Sequence, residues 1–134
     1  MSRYDVEVVP HLICGGNTRD EIDSKLDNLR FMGIRNLVAL RGDSTLGEKR
    51  FTPLPEGYRY ASELVEGIRS YKTGAEYFCI GVGGYPEKHF EAPNLETDIA
   101  NLKRKVDIVY AYSPRLLLII FSMLTFLSEK YLLI

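Results

Sequence analysis

The chain has 134 residues and a mass of 15.3 kDa, which is the size of one domain. With 46% hydrophobic residues it has enough apolar material for a core, which excludes wholesale disorder. The 17 basic and 18 acidic residues leave a net charge of −1, which argues against a dedicated nucleic-acid-binding protein.

The first predicted unit is a buried strand followed by a helix. Residues 6–14 are apolar and rich in β-branched side chains, and two glycines end the run. Thr18 and Glu21 have the spacing of a capping box at a helix start, and Gly33 is well placed to end that helix. Between them, apolar residues recur on one helical face at Ile22, Leu26 and Leu29.

Two further units repeat the order of strand and helix. Asn36–Leu40 is a short apolar strand, and a polar loop leads from it to an amphipathic helix. That helix is marked by Ala61, Leu64, Val65 and Ile68. The third strand is predicted over residues 77–82, broken by glycines at 81, 83 and 84. Its helix carries one apolar face made of Leu95, Ile99, Leu102 and Val106.

The spacing of these units predicts an α/β fold with parallel strands. Strands recur every thirty to forty residues, each followed by a helix, which implies right-handed crossovers. Such units build either an open doubly wound sheet or a closed barrel. The pattern of residues leaves both architectures open.

Polar residues gather where the predicted strands end, and in both architectures that edge carries the chemistry. His11 is predicted to close the first strand, residues 41–43 the second and residues 85–89 the third. Arg41, Lys88 and Lys105 can bind phosphate, and Asp43 can accept from a ring N–H or a ribose hydroxyl. Each residue also has a structural interpretation: a core histidine, a common Arg-Gly-Asp turn, a loop opener, or solvated charges.

The cysteines and the N-terminus indicate a cytoplasmic protein. Cys14 and Cys79 sit in apolar runs, as expected of reduced thiols that fill a core. The first residues lack the apolar segment of a secretion signal. The two histidines lie on separate strands, so no metal site is predicted.

Four stretches, in order and in register, resemble the methylenetetrahydrofolate reductase family, in particular a bacterial form. They are PHLIC at 10–14, GIRNLVALRGD at 33–43, YASELV at 60–65, and GVGGYPEKHFEA at 81–92, which is followed by Asp98 and by LKRKVD at 102–107. The resemblance covers roughly residues 5 to 107, most of the chain.

This resemblance implies a partial TIM (βα)8 barrel of about three to four βα units holding FAD. The implied reaction reduces 5,10-methylenetetrahydrofolate to 5-methyltetrahydrofolate, with NADH or NADPH as co-substrate, in one-carbon and methionine metabolism. Asp43 matches the family's aspartate beside flavin and folate, where a carboxylate can stabilise the cationic iminium form of the folate. The positions matching FAD contacts are His11, Arg41, Gly42, Asp43, Tyr60, Ala61, Tyr85, His89, Ala92, Asp98, Asn101, Arg104 and Lys105.

Two departures from the family suggest a fragment of the catalytic barrel. Nothing before Val6 can supply the strand with the family's general-acid glutamate, and the chain has no glutamine to match the one that contacts folate and nicotinamide. The match also stops after Asp107, which suggests a shifted reading frame. We therefore expect a partial barrel over residues 1–107, a divergent apolar segment over 108–134, and little reductase activity from the isolated chain.

The apolar segment 116–127 has three possible roles. As a helix it would be about 18 Å long, too short for a bilayer core of about 30 Å, so a core-packed helix is favoured over membrane attachment or an exposed sticky tail.

The alternative to an enzyme is a non-catalytic half-barrel that binds a nucleotide or docks to another subunit. Unpaired sheet edges also favour a homo-oligomer.

Overall fold

The computed structural model describes residues 8–42, 51–72, 74–85, 88–89, 92–112 and 116–120. Within them the elements are β1 (His11–Ile13), α1 (Arg19–Phe31), β2 (Asn36–Leu40), α2 (Ala61–Ser70), α3 (Gly74–Tyr77), β3 (Cys79–Gly84), α4 (Leu95–Tyr112) and β4 (Leu116–Ile120). The four strands form one parallel sheet in the order β1-β2-β3-β4. The predicted α/β class is therefore confirmed.

The strand order matters for the choice between sheet and barrel. Each described strand pairs with the next one along the chain, with no reversal of direction across the sheet. A doubly wound sheet reverses its order at a switch point, whereas a barrel wall adds strands in sequence. The described sheet thus has the order of a barrel segment, and its closure into a barrel stays a prediction.

The first unit forms as the local signals predict. Thr18 caps α1: its hydroxyl accepts from the Glu21 amide, and the Glu21 carboxylate accepts from the Thr18 amide. The helix ends before Gly33, whose φ of 76° suits a residue without a side chain. The predicted apolar face is buried at Ile22, Leu26 and Leu29.

One face of the sheet carries the core. Side chains alternate along each strand, so that every second one packs under the helices. The core residues from the strands are Leu12, Cys14, Leu37, Ala39, Ile80 and Val82. From α2 the core receives Leu64, Val65 and Ile68, as predicted. On the opposite face of β1, His11 and Ile13 are exposed.

Two strand predictions need correction. The first strand begins at His11, so His11 opens β1 and does not close it. Pro10 precedes it and has no N–H to donate, although its carbonyl still accepts from the Val38 amide at 2.9 Å. The third strand is not stopped by its glycines: it runs over Cys79–Gly84 because β2 and β4 pair with it on both sides. Tyr77 belongs to the short helix α3.

The prediction of a core-packed helix from residue 116 is wrong for residues 116–120. These residues form β4, which pairs with β3 from Ile80↔Leu116 to Gly84↔Ile120. A short apolar run suits either a buried helix or a buried parallel strand, and pairing with the edge of β3 decides the outcome. Residues 121–127 lie outside the described part of the chain. The predicted boundary after residue 107 falls inside α4, which continues to Tyr112.

The apolar face predicted for α4 is also only partly buried. Leu102 and Val106 are half-buried, whereas Leu95 and Ile99 are 48% and 56% exposed. Of the other residues of α4, Ile108 packs against the core, and Lys105 reaches the β3 carbonyl of Gly83. The helix therefore presents a charged side to the carboxyl edge of the sheet.

Candidate functional site

A cavity of about 540 Å³ opens where β2 and β3 end and where α2 begins, and α4 forms one of its walls. Parallel strands bring their carboxyl ends to one edge, and the loops that follow surround a common space. The cavity is lined by Ala39, Leu40, Arg41, Tyr60, Ala61, Ser62, Gly83, Tyr85, His89, Ala92, Pro93, Asp98, Asn101, Arg104 and Lys105.

Most of the residues that the family resemblance assigns to FAD meet in this cavity. Ten of the thirteen line it, from three stretches far apart in the sequence. They are Arg41, Tyr60, Ala61, Tyr85, His89, Ala92, Asp98, Asn101, Arg104 and Lys105. Their shared location is a geometric finding, and their contact with a cofactor stays a prediction.

Of the other three predicted residues, His11 and Gly42 do not line the cavity. His11 is the first residue of β1 and pairs with Val38, two residues before the end of β2, so it lies below the carboxyl edge. Gly42 follows Arg41 but does not line the cavity. Asp43, the predicted catalytic carboxylate, lies outside the described residues.

The cavity wall is rich in positive charge. Among the lining residues that the structure describes, Arg41, Arg104 and Lys105 contribute three cations against one carboxylate, that of Asp98. Lys105 is half-buried and donates to the Gly83 carbonyl at 2.7 Å. Burial lowers the pKa of the Lys105 ammonium, and the nearby Asp98 carboxylate partly offsets this. An ammonium in such surroundings gains most from an anionic ligand.

The N-terminus of α2 adds to this field. Tyr60 is the N-cap of α2, makes no side-chain hydrogen bond to the helix end, and lines the cavity with the first helical residues. A helix N-terminus carries a partial positive charge and N–H groups suited to phosphate. The arrangement therefore favours an anionic group between α2 and α4.

The loop after β3 forms another wall, and side chains hold its shape. The rings of Tyr85 and His89 meet edge to face, with centroids 4.8 Å apart. The Asp98 carboxylate accepts from the His89 amide at 2.8 Å, tying the loop to α4. Tyr60 and Tyr85 are 53% and 40% exposed, so aromatic surface is available for a planar ligand.

Two features of the site were missed by sequence reasoning. By its charge Lys88 can bind phosphate, but its ammonium donates to the carbonyls of His89 and Ala92. The guanidinium of Arg41 lies 5.1 Å from the centre of the Phe51 ring, a contact across the loop that no local pattern signals. Both arise from chain folding after the strand ends, where periodicity carries no information.

A second cavity, of about 680 Å³, lies between α2 and α4 on the helical side. Its lining includes Arg19, Glu63, Glu66 and Asp107 but none of the predicted cofactor positions.

In the described part of the chain, no three residues among His, Cys, Asp and Glu are grouped to hold a metal ion. Nor does any helix of that part have the length and apolar character needed to cross a bilayer.

Comparison with known proteins agrees with the residue pattern. The model of the methylenetetrahydrofolate reductase family matches residues 1–110. Methylenetetrahydrofolate reductase 2 of Saccharomyces cerevisiae is 40% identical over 104 residues, covering 76% of this chain and 17% of the yeast protein. Methylenetetrahydrofolate reductase (NADH) 1 of Arabidopsis thaliana is 43% identical over 111 residues, covering 76% of this chain and 18% of the plant protein.

Bacterial relatives match equally well. The 5,10-methylenetetrahydrofolate reductase of Escherichia coli is 41% identical over 105 residues, covering 78% of this chain and 32% of that protein. The chain therefore spans about a sixth to a third of the length of the curated relatives it matches. With the family model matched over residues 1–110 and ten of its thirteen predicted cofactor positions in one cavity, this chain belongs to the methylenetetrahydrofolate reductase family.

Proposed function

We propose that the cavity at the carboxyl edge binds FAD and that the chain supplies a flavin-binding wall of a methylenetetrahydrofolate reductase. The observation that carries this proposal is the convergence of ten assigned residues from three separate stretches on one cavity. The family of the chain supports the same function.

The residues present suit such a ligand in charge and shape. Three cations and a helix N-terminus fit a pyrophosphate, and the exposed rings of Tyr60 and Tyr85 fit a planar group. A cavity of about 540 Å³ lies within the range of small-molecule sites, about 300–1,000 Å³. The carboxylate of Asp98 is already engaged by the His89 amide, which limits its repulsion of an anion.

FAD, when bound, would supply hydride transfer from NADH or NADPH to 5,10-methylenetetrahydrofolate. The chain's own residues would bind and orient it: Lys105 and Arg104 would hold its anionic part, and the loop carrying Tyr85 and His89 would form a wall. Asp43 stays the predicted carboxylate beside flavin and folate. A carboxylate there would stabilise the cationic iminium form of the folate before its reduction.

A titration of the chain with FAD, followed by flavin fluorescence, tests the proposal. Lys105→Met removes the half-buried ammonium, and we expect a loss of affinity of about tenfold or more. Lys103→Met is the matched control, because Lys103 is exposed on the same helix and does not line the cavity. Failure of the unmodified chain to bind FAD, or equal losses in both variants, would overturn the proposal.

The pH dependence of the same titration follows from Lys105. Its folded pKa is lowered, so between that value and the unfolded value the unfolded chain binds more protons, and stability rises with pH. FAD affinity should fall over the same interval, as the ammonium loses its proton. Both trends should weaken in Lys105→Met, and identical pH profiles for the two proteins would contradict the role assigned to Lys105.

Turnover is a separate question from binding. We expect little NADH- or NADPH-dependent folate reduction by this chain alone, and an assay showing ordinary turnover would refute that expectation. Absence of FAD binding would favour the alternative of a non-catalytic half-barrel that binds another nucleotide or docks to another subunit. The folate substrate and a homo-oligomeric state likewise remain proposals.

A further inference from the structure

Lys88 has an unusual backbone for a lysine and an unusual partner set for a surface cation. Its φ of 83° lies in the left-handed region, which L side chains rarely adopt. Its ammonium donates to the Ala92 carbonyl at 2.6 Å and to the His89 carbonyl at 3.1 Å. Two of its three donors are thus spent on the backbone of its own loop.

Both carbonyls belong to residues that line the cavity. His89 and Ala92 face the proposed ligand, and the Ala92 amide also donates to the His89 carbonyl at 3.0 Å. The His89 amide is held in turn by the Asp98 carboxylate at 2.8 Å. Lys88 therefore closes the turn from inside, while Asp98 anchors it to α4.

We propose that Lys88 is a positioning residue that holds the loop bearing His89 and Ala92 in its ligand-ready shape. A strained backbone persists only where surrounding contacts determine it. At Lys88 these contacts include the two hydrogen bonds of the ammonium and one from the Lys88 amide to the Tyr85 carbonyl at 3.3 Å. A wall that is ordered beforehand reduces the entropy lost when a ligand binds. This inference rests on the proposed function, since the ligand of the cavity is taken to be FAD.

The competing interpretation is that the Lys88 ammonium binds a phosphate of the ligand directly. If Lys88 neutralised a phosphate, its substitution would lower the affinity for FAD and would also make that affinity less dependent on salt. A lysine that positions the loop would change the loop in the absence of any ligand. The two interpretations therefore differ in the free protein.

The test compares Lys88→Met, which keeps the side-chain length without donors, with the unmodified chain. Amide hydrogen exchange at His89 and Ala92, measured without FAD, should accelerate by about tenfold, and the FAD Kd should rise by about fivefold with the salt dependence unchanged. Lys88→Gly relieves the left-handed strain, so it guards against misfolding and should show the same faster exchange. Lys103→Met should leave loop exchange and Kd unaltered.

The outcomes separate this inference from the proposed function. Unchanged loop exchange in Lys88→Met, or a reduced salt dependence without faster exchange, would overturn the positioning role even if FAD binds. Because the exchange is measured without ligand, faster exchange supports the role of Lys88 in holding the loop. Absence of FAD binding by the unmodified chain would count against the proposed function instead.

Discussion

Cys14 shows how burial lowers the reactivity of a thiol. Its thiol is fully buried in the core and donates to the Leu40 carbonyl, at 3.5 Å. Burial, with a smaller contribution from the Glu63 carboxylate, raises the pKa of Cys14 to about 12, although Arg41 acts in the opposite sense. Cys79 is a free thiol that is only partly buried.

We predict that a thiol reagent such as iodoacetamide modifies Cys79 well before Cys14 in the folded chain, because the thiolate is the reactive form. Mass spectrometry of the digested protein gives the two rates, and urea-unfolded protein, where both should react alike, is the control. Since the unfolded thiol ionises first, stability should fall from about pH 9 to about pH 12. Equal rates in the folded chain would contradict the burial of Cys14.

At the scale of an element, α2 depends on a close contact between Gly67 and Tyr58. A Cβ placed on Gly67 would lie 2.0 Å from the Tyr58 hydroxyl and 2.4 Å from the ring carbon that bears it. Tyr58 is itself buried, at 7% exposure, and its ring would have to move if residue 67 gained a Cβ. The glycine therefore allows the helix to approach the ring that precedes it in the chain.

Gly67→Ala should consequently destabilise the protein. In a helix with free space beside the glycine, this change would raise the free energy of unfolding by about 1 kcal/mol, whereas overpacking lowers it by about 1–3 kcal/mol. Urea unfolding measures the difference, with Glu66→Ala, on the exposed side of α2, as the control expected to change little. In a Tyr58→Leu background the penalty of Gly67→Ala should shrink, and a gain in stability in the unmodified background would refute the contact.

For the whole molecule, β4 decides how far the sheet extends. It pairs with β3 over five residues, with Val82↔Leu118 at the centre of the register. β3 is also the strand whose Gly83 carbonyl accepts from Lys105 in the cavity wall. Loss of β4 should therefore weaken both the fold and the proposed ligand site.

Proline substitutions at neighbouring positions of β4 test this pairing. In a parallel strand, successive N–H groups point to opposite sides, so only one of Leu117→Pro and Leu118→Pro removes a donor to β3. We expect the free energy of unfolding to fall by about 3 kcal/mol or more in one variant, which should also bind FAD more weakly. Both losses should be much smaller in the other variant. Leu118→Val is the control that keeps a strand-forming side chain. Similar losses in both proline variants, as in a helix interior, would argue against β4.

Local signals determined the elements whose causes are local. Helix α1 begins at the capping box of Thr18 and ends before Gly33, which has a left-handed backbone. Asn36–Leu40 is the strand predicted from its apolar run. Caps and apolar runs act within a few residues, so both are visible in the sequence. For the site, the residues alone indicated only that strand ends converge. The assignment of individual positions came from the family resemblance.

Other features depended on partners distant in the sequence. Residues 116–120 form β4 because they pair with β3, although their length and composition favour a helix, and pairing also extends β3 over its glycines. The Lys88 ammonium contacts carbonyls of its own loop. Tertiary contacts also left Leu95 and Ile99 exposed while directing Lys105 toward the sheet. The sequence by itself determined the α/β class, the caps and the family; strand pairing, helix orientation and loop closure were decided by contacts between residues far apart, which no local pattern encodes.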